Sequence, residues 1–332
     1  MNWYAAVGRP LFFALPPESA HRVADRLLGL RFPWRRIGDA HDDPGLARSL
    51  AGITVRNPVG LAAGFDKTCA RLGALSELGF GYVVGGTITR APRVGNPSPR
   101  IVRYASRRSM VNAMGLPNPG AEAAARNLAR LPAGASPRFV SLADEALPDA
   151  IFALDLLAPL VDGIELNASC PNVSWGRDRD NESHLRELVV AFVARTPRPI
   201  FVKLPPFSTA TEEEVVLTLA RIAQEAGASG FTCSNTRLVE DQRISVGRGG
   251  LSGKALWPRT PAIVASVVAA TGGDLPVNAC GGVFTAADAR DCIEAGATTV
   301  QVYTGMLFEG PGIVGAITTG LAGLLEVQPA GS

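Results

Sequence analysis

Ile200-Phe201-Val202-Lys203-Leu204, then a helical pattern from Thr211 to Ala226, then Gly230-Phe231-Thr232-Cys233-Ser234: this stretch reads strand, helix, strand. Within the helical part, Val215, Leu219 and Ile222 share a face with Val216, Ala220 and Ala223. Strands that alternate with helices imply a parallel sheet. Working outward, the same alternation predicts strands at 58–63, 82–88, 139–143, 163–168, 200–204, 230–234, 275–280 and 299–303. Eight such units point to an α/β fold of the (β/α)8 TIM-barrel type rather than to an open doubly wound sheet. Residues 90–138, rich in Pro, Gly and Arg, interrupt the rhythm and read as a long excursion above the barrel with short strands of its own.

Residues 1–45 differ from the rest. Trp3, Tyr4, Leu11, Phe12 and Phe13 are apolar or aromatic, and Pro16-Pro17-Glu18-Ser19 starts a second helical pattern with Val23, Leu27, Leu28 and Leu30 along one face. The division expected is an amphipathic helical extension (1–45) and a barrel (46–332). The extension has two readings: a helical cap packed on the barrel, or a surface that lies on a membrane or admits a lipophilic molecule.

Bulk properties exclude several classes. The net charge of +2, without long runs of like charge, disfavours nucleic-acid binding. No stretch approaches the roughly 18 apolar residues of a membrane span, and no secretory signal is read. The five cysteines, Cys69, Cys170, Cys233, Cys280 and Cys292, form no C-x-x-C pair. No metal site or iron–sulfur partner is therefore expected, and the odd count suits a reducing cytoplasm. Among 32 basic residues only Lys67, Lys203 and Lys254 are lysine. A chain that otherwise uses arginine keeps lysine where a slim or titratable amine is needed.

In such barrels the site forms where strands end. The first strand ends Ala62-Ala63-Gly64-Phe65-Asp66-Lys67 and the second Gly86-Thr87-Ile88-Thr89; the excursion holds Asn112-Ala113-Met114-Gly115-Leu116. The fourth strand runs into Asn167-Ala168-Ser169-Cys170-Pro171-Asn172, the fifth ends on Lys203, and the sixth ends Cys233-Ser234-Asn235-Thr236. Singly, a strand-terminal Asn is a turn former. Together, four Asn, two Lys and one Cys on one face suit a ligand rich in amide groups, such as a cyclic imide or ureide. Cys280-Gly281-Gly282-Val283 and Tyr303-Thr304-Gly305, after strands seven and eight, fit a phosphate site, and Gly249-Gly250-Leu251-Ser252-Gly253 adds open backbone.

On these residues the chain resembles the dihydroorotate dehydrogenases, most closely their class 2, the membrane-associated, quinone-linked form. The resemblance runs over nearly the whole chain: Leu11-Phe12-Phe13-Ala14-Leu15-Pro16-Pro17-Glu18-Ser19-Ala20-His21, Asn57 through Lys67, Gly250-Leu251-Ser252-Gly253, and Val300-Gln301-Val302-Tyr303-Thr304-Gly305. It implies FMN as cofactor, dihydroorotate as substrate, a quinone as acceptor, and a place in the cytoplasm at the inner face of the cell membrane through residues 1–45. Carried over, substrate contacts fall on Lys67, Asn112, Ala113, Met114, Gly115, Leu116, Asn167, Asn172, Asn235 and Thr236. Cofactor contacts fall on Ala63, Gly64, Phe65, Asp66, Lys67, Thr87, Ser141, Asn167, Lys203, Ser234, Gly253, Gly282, Tyr303 and Thr304. Cys170 takes the place of the base that removes a proton from C5 while C6 delivers hydride to the flavin, and Lys203 stabilises charge on the reduced ring.

The chain also departs from class 2. Serine is usual at the base position, where Cys170 is typical of class 1; Val173 replaces a threonine and Leu116 a phenylalanine. A thiol, with a reference pKa of about 8.5, needs less help than an alcohol to act as a base. Ser141-Leu142-Ala143-Asp144-Glu145-Ala146 stands where the family has an Asn and a Gly-Lys-Asn run, and residues 174–180 also lack the family pattern. An FMN-dependent paralogue acting on another cyclic amide or unsaturated acid, in a specialised pathway, therefore stays open beside dihydroorotate oxidation.

Overall fold

Barrel strands that are covered by helices outside and by one another's side chains inside must read as unbroken buried runs, and they do at 82–88, 163–167 and 200–204. The computed structural model describes residues 3–38, 43–143, 146–168 and 181–327. Its strands are β1 (Arg48–Leu50), β2 (Ile53–Val55), β3 (Val59–Leu61), β4 (Tyr82–Ile88), β5 (Ile101–Tyr104), β6 (Ser109–Asn112), β7 (Arg138–Leu142), β8 (Gly163–Asn167), β9 (Ile200–Leu204), β10 (Gly230–Cys233), β11 (Arg237–Glu240), β12 (Arg248–Gly253), β13 (Val277–Cys280) and β14 (Thr299–Val302). Strands β3, β4, β7, β8, β9, β10, β13 and β14 close into a parallel barrel in that order. Each lies inside, or within a residue of, one of the eight expected runs. The helix expected after β9 spans Ala210–Glu225, where Thr209 and Glu212 cap one another's backbone N–H groups.

Alternation sorts the barrel side chains. On β8, Ile164 and Leu166 point out into the layer shared with the helices, whereas Gly163, Glu165 and Asn167 point in. At the N-terminal end the interior is apolar. Tyr82, Val84, Phe139 and Phe201 pack with Leu50 and Val55 from the antiparallel β1–β2 hairpin, which plugs the floor. A Cβ on Gly60 would lie 2.3 Å from the Tyr82 ring, and one on Gly163 2.9 Å from that of Phe139. The glycines are the space into which the rings fit.

The excursion is partly corrected. Strands β5 and β6 lie within it as expected, but Ala121–Ala129 is an ordinary barrel helix with Ala121, Ala124, Ala125 and Leu128 in the main core. The reading of Gly249–Gly253 as open backbone is also corrected: these residues form β12, which pairs with both β6 and β11 in an antiparallel sheet ordered β11-β12-β6-β5. The glycines permit close approach there, since a Cβ on Gly250 would collide with Thr236.

The extension begins with a π-helical turn, Tyr4–Gly8, followed by α1 (Arg9–Ala14) and α2 (Pro17–Leu28). Two ion pairs brace α2: Glu18 with Arg100 at 2.9 Å, beside β5, and Asp25 with Arg71 at 3.0 Å, after β3. Arg103 stacks on Phe13 and donates to the Leu15 carbonyl, and Phe13 meets Phe308 edge-on. Trp3, Val7, Leu11, Leu15, Val23 and Leu27 remain exposed. Among the described residues, no helix is long and apolar enough to cross a membrane.

Candidate active site

One cavity of ≈ 840 Å³ occupies the C-terminal mouth of the barrel and continues beneath α1 and α2. Its size is in the range of cofactor and substrate sites. The barrel strands bring Thr87, Asn167 and Lys203 to its wall, and the segments after the strands bring Ala63, Gly64, Phe65, Lys67, Ser234, Asn235, Thr236, Gly282, Tyr303 and Thr304. The excursion sheet contributes Asn112 and Gly253, with Met114 and Leu116 just beyond β6. Four expected contacts do not line it. Ala113 is buried with Val111 and Ile244, and Gly115 turns at φ +72° beside Asn96. Ser141 lies behind Thr87, with their hydroxyls 3.1 Å apart. Asp66 accepts from the N–H groups of Thr68 and Arg71 and so builds the turn after β3. Cys170 and Asn172 lie outside the described residues, as do Asp144, Glu145 and 173–180.

The polar groups are interlocked. Asn167 Nδ2 donates to Thr87 Oγ1 at 3.1 Å, and Asn235 Nδ2 to Asn167 Oδ1 at 3.4 Å. Lys67 Nζ and the Tyr303 hydroxyl both donate to the Gly64 carbonyl, which fixes the first loop. Lys203 is almost fully buried, with its Nζ 3.6 Å from Glu165 Oε1. The Gly281-Gly282 turn is held by Thr260, whose hydroxyl donates to the Gly281 carbonyl at 2.7 Å. A Cβ on Gly282, at φ +75°, would lie 2.8 Å from the Trp257 backbone nitrogen, so this turn requires glycine. Burial pushes up the thiols of Cys69, Cys233 and Cys292, the last to about 12, which fits small buried hydrophobes rather than nucleophiles, whereas Cys280, also pushed up, lines the cavity. Among the described residues no cluster of three His, Cys, Asp or Glu could hold a metal.

Two groups of residues escape a survey of strand ends. The first is the inward layer below the mouth: Glu165, Thr232, Asn278, Thr299 and Gln301, all buried. Their signal is a polar side chain at alternate positions of an apolar strand. The second lies on the α2 side, where His21 sits 5.8 Å from the Phe65 ring and lines the cavity. Burial, helped by the nearby Lys67 charge, lowers the His21 pKa to about 4.

This geometry agrees with the comparisons. A family model described as Dihydroorotate dehydrogenase matches residues 45–325. The chain belongs to the dihydroorotate dehydrogenase family. Curated relatives carry the name Dihydroorotate dehydrogenase (quinone). The protein from Acidithiobacillus ferrooxidans is 38% identical, over 95% of this chain and 94% of its own length, and that from Rhodospirillum rubrum is 36% identical over 98% and 92%. The crystal structure of DHODH from Eimeria tenella in complex with ferulenol superimposes with a TM-score of 0.83 at 28% identity, covering 94% of this chain and 92% of that one. Dihydroorotate dehydrogenases are flavin-dependent. The donor set fits a flavin: an amide at Asn167, a hydroxyl at Thr87, an ammonium at Lys203, and the Gly281-Gly282 turn, which a Cβ would fill.

Proposed function

We propose that this chain oxidises dihydroorotate to orotate in pyrimidine synthesis, using FMN as cofactor and a quinone as electron acceptor. The observation that carries this reading is one continuous cavity with two kinds of wall. Amides, hydroxyls and two lysines face it at the barrel mouth, and α1 and α2 close it on the other side.

Asn112, Asn167, Asn172 and Asn235 offer paired donors and acceptors to the amide-rich dihydropyrimidine, and Lys67 meets its carboxylate. Cys170, as thiolate, removes the C5 proton. Bound FMN supplies the hydride acceptor for C6. Lys203 provides a fixed cation where negative charge gathers on reduction. The Gly281-Gly282 turn and the start of the helix Thr304–Glu309 present backbone N–H groups to the FMN phosphate. On the far side, α1 and α2 admit the quinone, and the exposed Leu11, Leu15, Val23 and Leu27 lay the extension on the cytoplasmic face of the cell membrane.

Anaerobic mixing with dihydroorotate tests the reading. The flavin absorbance should bleach and return on addition of a quinone. A yellow protein that dihydroorotate does not bleach would instead favour the paralogue acting on another cyclic amide.

A further inference from the structure

Glu165 is a buried carboxylate that the reaction above does not use. It points into the barrel on β8, two residues before Asn167 and so on the same face. Its side chain is 1% exposed. Oε2 accepts the Thr232 hydroxyl at 3.0 Å, while Oε1 takes no hydrogen bond and faces Lys203 Nζ at 3.6 Å. A buried carboxylate costs several kcal/mol to desolvate, which only a well-placed cation repays.

The carboxylate is anchored independently of Lys203. Asn278 Nδ2 approaches Thr232 Oγ1 at 3.5 Å, the Thr299 hydroxyl donates to Asn278 Oδ1 at 2.6 Å, and Thr299 lies 2.9 Å from the Tyr82 hydroxyl. This row crosses β10, β13 and β14 and ends on the aromatic floor at β4. The rigid end of the barrel therefore fixes Glu165, and Glu165 in turn meets the one lysine that rises from a barrel strand into the cavity wall.

We propose that Glu165 is the positioning residue for Lys203, fixing its ammonium at the cavity wall and offsetting its charge, so that the pair rather than the lysine alone sets the reduction potential of the bound flavin. The inference rests on the flavin reading above. Among the described residues, the other titratable groups around the pair are Cys280 on β13 and Tyr82 on β4, both pushed up by burial and therefore neutral near pH 7. Lys67, after β3, is a second cation on the same cavity. With the carboxylate present, Lys203 holds its proton in both redox states, and two-electron reduction near neutral pH takes up one proton, on the flavin. Without it, burial favours the neutral amine while the flavin is oxidised. Reduction then takes up two protons, one on the flavin and one on Lys203, drawn there by the new negative charge.

The experiment is a spectroelectrochemical titration of the holoenzyme from pH 6 to pH 9 for the parent and for Glu165→Gln, which keeps the side chain's shape. The expected result is a potential more positive than the parent's at pH 6, falling with a slope of two protons per two electrons where the parent falls with one. Glu165→Asp, which keeps the charge but moves it, should retain the parent's slope at a shifted potential. Thr232→Val, which loosens Oε2 without removing a charge, should also retain the slope. Superimposed lines for parent and Glu165→Gln overturn the proposal. If Glu165→Gln does not hold flavin, Glu165→Asp decides, and an unshifted potential overturns it. A parent that purifies without flavin refutes the functional reading instead, which keeps the two failures apart.

Discussion

The barrel mouth and the wall made by α1 and α2 enclose the same cavity, yet they are built on opposite principles. At the mouth the described polar groups interlock: Asn167 ties Thr87 to Asn235, and Glu165 meets Lys203 deep inside the strands. At the other wall, short helices expose apolar side chains outward and are braced by two partly exposed ion pairs, Glu18–Arg100 and Asp25–Arg71. Preorganised polar groups suit a step in which charge develops. A loosely braced apolar wall suits a greasy partner that must come and go. The contrast implies that the two half-reactions can be damaged separately.

The largest expected effect lies at the mouth. Cys170→Ala should slow flavin reduction by dihydroorotate by roughly 10²–10⁴-fold, the usual contribution of a positioned base. Reoxidation of the pre-reduced enzyme by quinone should be unchanged, and stopped-flow traces of each half-reaction would show it. Equal slowing of both would break the contrast. Removal of residues 1–45 should do the reverse: quinone reoxidation falls about tenfold or more, the equivalent of losing some 1.4 kcal/mol of binding, while anaerobic bleaching by dihydroorotate persists. Equal loss of both would reduce the extension to a structural cap.

Acid should loosen the helical wall first. The folded-state pKa of His21 is depressed from 6.5 to about 4, so the unfolded chain binds the proton first. The stability linked to this residue is complete above about 6.5 and is lost as pH falls toward about 4. Thermal unfolding of the parent and of His21→Gln should therefore converge over that window, with a change on the order of 1–3 kcal/mol. A constant difference across it would place His21 in water. The smallest effect is expected at Glu18, whose carboxyl Arg100 holds below the ordinary range. Its contribution is present at neutral pH and lost as pH falls through the lowered value. Glu18→Gln should cost only about 0.2–1 kcal/mol at pH 7, and that cost should vanish in strong acid.

The sequence discloses these regions unequally. Apolar runs such as Ile200–Leu204 announce barrel strands because burial on both faces leaves no room for polar outward positions. Strand-end residues such as Asn167 and Lys203 are legible because the fold fixes where strands end. Glu165 is not, although it shares a strand and a face with Asn167: only the closed barrel shows what stands opposite it. Strand β12 is hidden for another reason, since Gly249 and Gly250 look like a turn until β6 is seen alongside. Asp66 and Ser141 resemble ligand contacts in sequence, yet one organises its own loop and the other supports Thr87.

The sheet above the barrel is drawn from two distant stretches of chain, with Asn112 of β6 paired to Gly250 of β12. A nascent chain that has emerged only as far as β10 carries most of the barrel wall but no partner for the inner edge of β6. Contacts this remote in sequence close late, because the loop between them must be ordered first. The platform bearing Asn112 and Gly253 is thus completed only after synthesis has passed residue 253, and a truncated product stopping short of it would leave the flavin and substrate pocket without one of its walls.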